Sequence, residues 1–145
     1  MQSIGEILEE KGHEVFFIDP QATVLQAVEL MCARHVGALL VATADATLGI
    51  LSERDVLTRV ILEQREPAKT KVEDVMTRAV ACVRLTTRTR EAMAVMTERR
   101  VRHLPVVAEE RIVGMVSIGD LVRVASREQE MEIRMLHEYV HGGYV

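Results

Sequence analysis

A chain of 145 residues that is 48% apolar and 28% charged has the ordinary balance of a globular protein and is long enough to bury one substantial core or two small halves of one. A net charge of −4, 3% aromatic residues and no Trp exclude the concentrated basic face that nucleic acid or an anionic membrane surface requires, and the aromatic platform that single strands stack on. No apolar run approaches the ~20 residues of a membrane span, and Met1-Gln2-Ser3-Ile4-Gly5-Glu6 lacks the basic-then-apolar pattern of a secretion signal, so the expected location is cytoplasmic.

Ser3-Ile4-Gly5-Glu6 is a Ser-x-x-Glu capping box ahead of Ile7 and Leu8, and Lys11-Gly12 supplies a cation and a terminating glycine, so a short N-terminal helix is expected. Residues 14–18, with Val15, Phe16, Phe17 and Ile18 in series, read as a strand ended by Asp19-Pro20. Thr23 then caps a helix with Val24, Ala27, Val28 and Met31 on one face. Residues 36–42 and 48–51 are short apolar runs separated by a polar turn, both expected to be strands. After Ser52 the period returns to that of a helix, with Val56, Leu57, Val60 and Ile61 as its expected inner face.

Residues 64–72 are polar, contain Pro67 and read as a linker, and residues 72–77 as one helical turn. A second strand–helix pattern follows at 79–83 and 88–100, the helix turning Ala92, Val95 and Met96 inward. Two more strands lie around 103–107 and 112–116, and Pro105, without an amide hydrogen, places the first of them at an edge or at its own start. From Ile118 to His141 there is neither Gly nor Pro. Leu121, Val122 and Ala125 are expected to face the core, while Met131, Met135, Leu136, Tyr139 and Val140 extend an apolar stripe up to Gly142-Gly143. A stripe of that kind asks for a partner: the N-terminal helix, a second subunit, or both.

The two halves repeat. Shifted by 65 positions, Ala27, Met31, Val36, Leu39, Val41, Gly49, Ser52 and Asp55 fall on Ala92, Met96, Val101, Leu104, Val106, Gly114, Ser117 and Asp120, each the identical residue. One supersecondary unit is therefore used twice. The copies differ in detail: Gly37-Ala38 becomes Arg102-His103, Glu53-Arg54 becomes Ile118-Gly119, and Leu85 stands where the first copy has Pro20.

Ser-x-x-Asp before an apolar run is first a helix cap, in which hydroxyl and carboxylate satisfy the free amides of the first turn. The same geometry suits a sugar: a carboxylate offers two acceptors to the cis-diol of a ribose, and the Ser hydroxyl can donate or accept. Any phosphate on such a ligand must find cations away from Asp55 and Asp120, and Arg54, Arg100, Arg102 and His103 are the candidates by sequence, guanidinium offering phosphate a fork of donors. Cys32 and Cys82 lie in apolar runs without Cys-x-x-Cys spacing and read as reduced, buried core residues. Histidines 13, 35, 103, 137 and 141 form no pair with a third donor at metal-ligand spacing. No Ser, His and Asp stand in the context of an activated nucleophile, so neither a metal site nor an enzyme is expected.

Residues 36–41 with 49–55, Asp74-Val75-Met76-Thr77, and residues 102–106 with 114–120 together resemble a tandem pair of CBS (cystathionine beta-synthase-type) motifs, a Bateman module, of the stand-alone bacterial kind. The resemblance spans about residues 11–125. It implies an α/β (α+β) fold of two β-α-β-β-α motifs related by a pseudo-twofold axis, flanked here by a short N-terminal helix and a long C-terminal one. The corresponding divisions are motif one at 11–64, linker and helical turn at 65–78, motif two at 79–125 and a helical extension at 126–145. Such modules hold adenosine-containing ligands (AMP, ADP, ATP, NAD(H) or S-adenosylmethionine) in clefts between the motifs, and they dimerise and regulate rather than catalyse. By matching position, Ser52, Asp55, Ser117 and Asp120 would hold the ribose, and adenine would lie against Val15, Phe16 and Phe17 or Val80, Ala81 and Cys82, with Leu104 and Pro105 alongside. A homodimer, an adenine nucleotide or nucleoside ligand, no required cofactor and an unidentified protein partner complete the expectation. The alternative is a structural dimerisation module whose Ser-x-x-Asp motifs are caps and nothing more.

Overall fold

The computed structural model describes residues 2–140, with side chains from 2 to 138; Tyr139 and Val140 of the expected stripe, His141 after them and the closing Gly142-Gly143 fall outside the described side chains or residues. The described elements are α1 (Ile4–Lys11), β1 (Phe17–Ile18), α2 (Val24–Arg34), β2 (Ala38–Ala42), β3 (Thr47–Ser52), α3 (Glu53–Asp55) continuing as a π-helical segment (Val56–Ile61), a 3-10 turn (Val72–Asp74), β4 (Val83–Arg84), α4 (Thr89–Arg99), β5 (His103–Ala108), β6 (Arg111–Ser117) and α5 (Ile118–Val140). They form two compact units. A middle unit comprises Val15–Val80, and a terminal unit joins Met1–Glu14 to Ala81–Val145.

In the middle unit β1, β2 and β3 form one sheet in that order, β1 parallel and β3 antiparallel to β2. β1 is only two residues long because the chain turns at once. The Asp19 carbonyl accepts from the Ala22 amide at 3.0 Å and the Asp19 carboxylate from the Gln21 amide at 2.8 Å, an Asx-type turn that ends pairing. α2 opens with the expected Thr23 cap, made reciprocal by Gln26, and ends at His35 in the left-handed conformation. Val24, Ala27 and Met31 from α2 meet Leu39, Val41 and Leu51 from the sheet in a closed core. The polar stretch after residue 64 belongs to this unit. The Pro67 and Thr70 carbonyls accept from the first amides of α2, those of Leu25 and Val24, and Val72, Val75 and Met76 complete the core.

The terminal unit repeats the plan with β4, β5 and β6. Its first strand is again cut short. The Arg84 carbonyl accepts from the Thr87 amide and the Thr87 hydroxyl from the Arg84 amide, so a Thr-based turn does here what Asp19-Pro20 does in the first copy. α1 supplies Ile4, Ile7 and Leu8 to a core shared with Ala92, Met96, Leu104, Val116, Leu121 and Val124. Its own start is as expected, the Ser3 hydroxyl accepting from the Glu6 amide, and Gly12 ends it at φ 100°.

Several expectations need correction. Pro105 lies within β5, the central strand, paired with Met115. The equivalent Leu40 donates its amide to the Phe16 carbonyl at 3.0 Å, so Pro105 forfeits one bond toward the incoming strand, where β4 pairs only with Val106 and Val107. In the π-helical segment the Leu62 amide bonds the Leu57 carbonyl and the Arg65 amide that of Val60. These i to i+5 bonds make turns wider than 3.6 residues, so Val60 stays buried while Leu57, Ile61 and Leu62 are turned outward. On α5, Leu121 and Val124 are the buried pair and Val122 is 47% exposed, one helical position off the expected face. Cys32 and Cys82 are both exposed. Cys32 falls on the outer side of α2, next to buried Met31, and Cys82 lies in the irregular approach to β4. Partial burial of the Cys82 thiol still raises its pKa from the ordinary value.

Candidate functional site

Each unit places its Ser-x-x-Asp where the last strand of the sheet turns into a helix. In the middle unit Ser52 ends β3 opposite Ala38, and Asp55 is the third residue of the helix, only 7% exposed. Asp55 Oδ2 accepts from the Ser52 amide at 2.9 Å and from the Ser52 hydroxyl at 3.1 Å. The Asp55 amide in turn donates to Ser52 Oγ at 3.3 Å. The other oxygen, Oδ1, accepts from the Thr77 hydroxyl at 3.0 Å and lies 3.8 Å from Arg59 Nε. The segment carrying Thr77 is fixed by two backbone bonds of 2.9 Å with Ile50. Its close approach needs Gly49, where a Cβ would overlap the Thr77 carbonyl oxygen.

The terminal unit reproduces the corner with different partners. Ser117 pairs with His103, and Asp120 is likewise 7% exposed. Asp120 Oδ2 accepts from the Ser117 amide at 2.8 Å, and the Asp120 amide donates to Ser117 Oγ at 3.2 Å. Lys11, at the end of α1, donates to the same Oδ2 at 2.7 Å and to the Met115 carbonyl at 2.9 Å, while Arg123 Nη1 lies 3.5 Å from Oδ1. Burial alone pushes the Asp120 carboxyl up. The hydrogen bond and charge of Lys11, with the bonds from Ser117, outweigh that and hold it below its ordinary value.

The other expected site residues divide. The Arg102 carbonyl accepts from the Ile118 amide at 2.8 Å, so the backbone brings Arg102 and half-buried His103 to the Ser117 corner. Arg100 ends α4 in the left-handed conformation, and Arg54 is exposed in the first turn beside Asp55. Phe16 is half-buried against the middle core with the Arg34 guanidinium 5.3 Å from its ring centre, and Phe17 is half exposed. Val15 precedes them, and Val80, Ala81 and Cys82 all lie before β4 rather than within a strand. Leu104 is fully buried in the terminal core and Pro105 is buried next to it, so both side chains serve packing. Thr77, Arg59, Lys11 and Arg123 are residues that the sequence does not assign to the corners. Thr77 and Lys11 reach their carboxylates across 22 and 109 residues, whereas Arg59 and Arg123, four and three residues on from the Asp, could have been found from helical spacing.

Among the described residues no three His, Cys, Asp or Glu side chains are grouped to hold a metal ion, and no helix is long and apolar enough to cross a membrane. The family model for the CBS domain matches twice, over residues 4–62 and 72–127. The mitochondrial CBS domain-containing protein CBSX3 of Arabidopsis thaliana is 36% identical over 98% of this chain and 73% of its own length. Among solved structures, the CBS domain NE2398 is 42% identical with a TM-score of 0.81, covering 86% of this chain and 97% of that one. A CBS-domain protein of Burkholderia ambifaria MC40-6, named for a role in signal transduction, is 38% identical with a TM-score of 0.85 over 88% and 96% of the two chains. Two other curated relatives are longer, and the chain spans 43% and 21% of them.

Proposed function

Because the chain belongs to the CBS-domain family, with two CBS domains in tandem, we propose that it is a regulatory protein that senses adenosine-containing ligands, of the AMP, ADP, ATP, NAD(H) or S-adenosylmethionine class. Ribose is held at Ser52 and Asp55 in the middle unit and at Ser117 and Asp120 in the terminal unit. The observation that carries this reading is the paired corner: twice, a buried carboxylate is held by a Ser amide at the start of a helix, with cations at its edge. Such a carboxylate is an acceptor for a diol, and its cations neutralise a phosphate. Arg102 supplies the terminal corner with further positive charge and His103 with an imidazole, where the middle one has Gly37 and Ala38. The signal-transduction name of the Burkholderia relative supports a regulatory role. Catalysis and a bound cofactor are not part of this reading. The protein works in the cytoplasm as a homodimer, in keeping with the exposed Leu57, Ile61 and Leu62 and the exposed Met131, Ile133, Met135 and Leu136, and it hands its signal to a protein partner.

A second reading has its own support. Both carboxylates already have internal partners, and Asp120 is closed by Lys11, as helix caps in a purely structural dimerisation module would be. Thermal melts against AMP, ADP, ATP, NAD, NADH and S-adenosylmethionine, repeated on Asp55→Ala and Asp120→Ala, separate the two. A ligand at a hundred times its dissociation constant stabilises the fold by about 2.7 kcal/mol, a rise of several degrees. Sensing requires that rise for at least one ligand and its loss in one variant. Unchanged melts for all six leave the structural module.

A further inference from the structure

The two corners differ most in what faces the carboxylate. At Asp55 the short bond is to a neutral hydroxyl, Thr77 Oγ1 at 3.0 Å, and the ion pair with Arg59 is long at 3.8 Å. At Asp120 the short bond is to an ammonium, Lys11 Nζ at 2.7 Å. The Lys11 side chain is 33% exposed over a carboxylate that is 9% exposed, so the ammonium covers Asp120 from the solvent side. A diol that engages both oxygens of Asp120 takes Oδ1, where Arg123 is 3.5 Å away, and with it the Oδ2 that Lys11 holds. A neutral nucleoside would then strand the ammonium beside a carboxylate it no longer bonds. A nucleotide brings an anion of its own, so Lys11 leaves one oxyanion and takes another, while Arg123 at 3.5 Å stays as counter-ion to Asp120. A compact charge with three donors on a flexible stem suits that exchange.

We infer that Lys11 is a specificity-determining residue: by exchanging Asp120 for the ligand's phosphate, it makes the Ser117–Asp120 corner select phosphorylated adenine nucleotides over neutral nucleosides. The inference rests on the nucleotide-binding reading above, and Lys11 comes from a helix outside both the Ser-x-x-Asp motif and the second repeat.

The test is calorimetric titration of AMP and of adenosine into the wild-type chain, Lys11→Met and Lys11→Arg, all with Asp55→Asn so that the terminal corner is read alone. The wild-type corner prefers AMP by roughly ten- to a hundredfold, the scale of one charge-assisted hydrogen bond. Lys11→Met loses most of that ratio with adenosine unchanged or tighter, and Lys11→Arg keeps it. A ratio that survives Lys11→Met, or an equal change for both ligands, overturns the inference and leaves nucleotide binding standing. Failure of both ligands to bind the chain that retains Asp55 and Lys11 overturns this inference, and the binding reading falls with it only if the six-ligand melts are unchanged as well. Lys11→Gln, which keeps a donor toward Asp120, carries the same comparison if Lys11→Met does not fold.

Discussion

Asp120 is caught between burial, which raises its pKa, and Lys11 with Ser117, which lower it further than burial raises it. Its folded-state value therefore lies under the unfolded one. The ionised form contributes stability above the ordinary value of 3.8, and that contribution is lost as the pH falls through the lowered value. Asp120→Asn should thus cost stability at neutral pH, and the gap to wild type should close as the pH drops below 3.8, as urea unfolding at stepped pH will read. A second contrast sits at the repeated glycines. At Gly49 a Cβ meets the rigid Thr77 carbonyl, but at Gly114 it meets the Leu8 methyls at 2.7 and 2.9 Å, the movable end of a side chain. Gly49→Ala is expected to cost about 1–3 kcal/mol as overpacking does, and Gly114→Ala clearly less, by the same unfolding measurement. The residues of both corners were legible because Ser and Asp stand three apart and bond locally. The Lys11 ammonium was not, because a lysine at a helix end reads as a complement to the helix dipole, and the carboxylate it serves lies 109 residues away.

At the scale of elements, sequence and structure agree best where a helix carries its own cap. Thr23 with Gln26, and Ser3 with Glu6, start their helices as their spacing implies, because a cap needs only residues within one turn. Agreement fails where the outcome depends on distant pairing. β1 and β4 extend only over the residues that β2 and β5 pair with, and no period in the sequence announces the wide turns that expose Leu57 and Ile61. The apolar stripe on α5 is partly as expected: Met131, Met135 and Leu136 are 63–64% exposed, with Ile133 at 62%. Helix faces of this kind are covered in association. In the proposed homodimer, replacing Met131, Met135 and Leu136 together by Ser is expected to weaken association at least tenfold by sedimentation while leaving the melting temperature of the monomer within a few degrees, since none of the three belongs to the terminal core.

The whole molecule is two units of unequal continuity. Val15–Val80 contains every strand, helix and core residue of the middle unit in one uninterrupted stretch, whereas the terminal unit needs both ends of the chain. The repeat hides this, since counting from Ala27 and Ala92 suggests two equivalent halves cut at the polar stretch after residue 64; the burial of Ile4, Ile7 and Leu8 with Leu104 and Leu121 and the reach of Lys11 to Asp120 reveal what α1 belongs to. A fragment of residues 15–80 is expected to melt cooperatively by circular dichroism, and a fragment of residues 81–140 to melt without a cooperative transition until a peptide of residues 2–14 is added. Leu8→Ala in the full chain should cost about 2–5 kcal/mol by urea unfolding, a loss carried by the terminal unit.

The divided terminal unit also bears on how the protein is born. On a ribosome adding about 5–20 residues per second, the middle unit is complete once Val80 has emerged. Ile4, Ile7 and Leu8 must wait for Val116, Leu121 and Val124. The interval is roughly 2–9 s at that rate of synthesis, during which an apolar segment made before the middle unit waits for partners made after it. Nascent chains stalled between residues 80 and 116 therefore present α1 as the segment for a chaperone to hold.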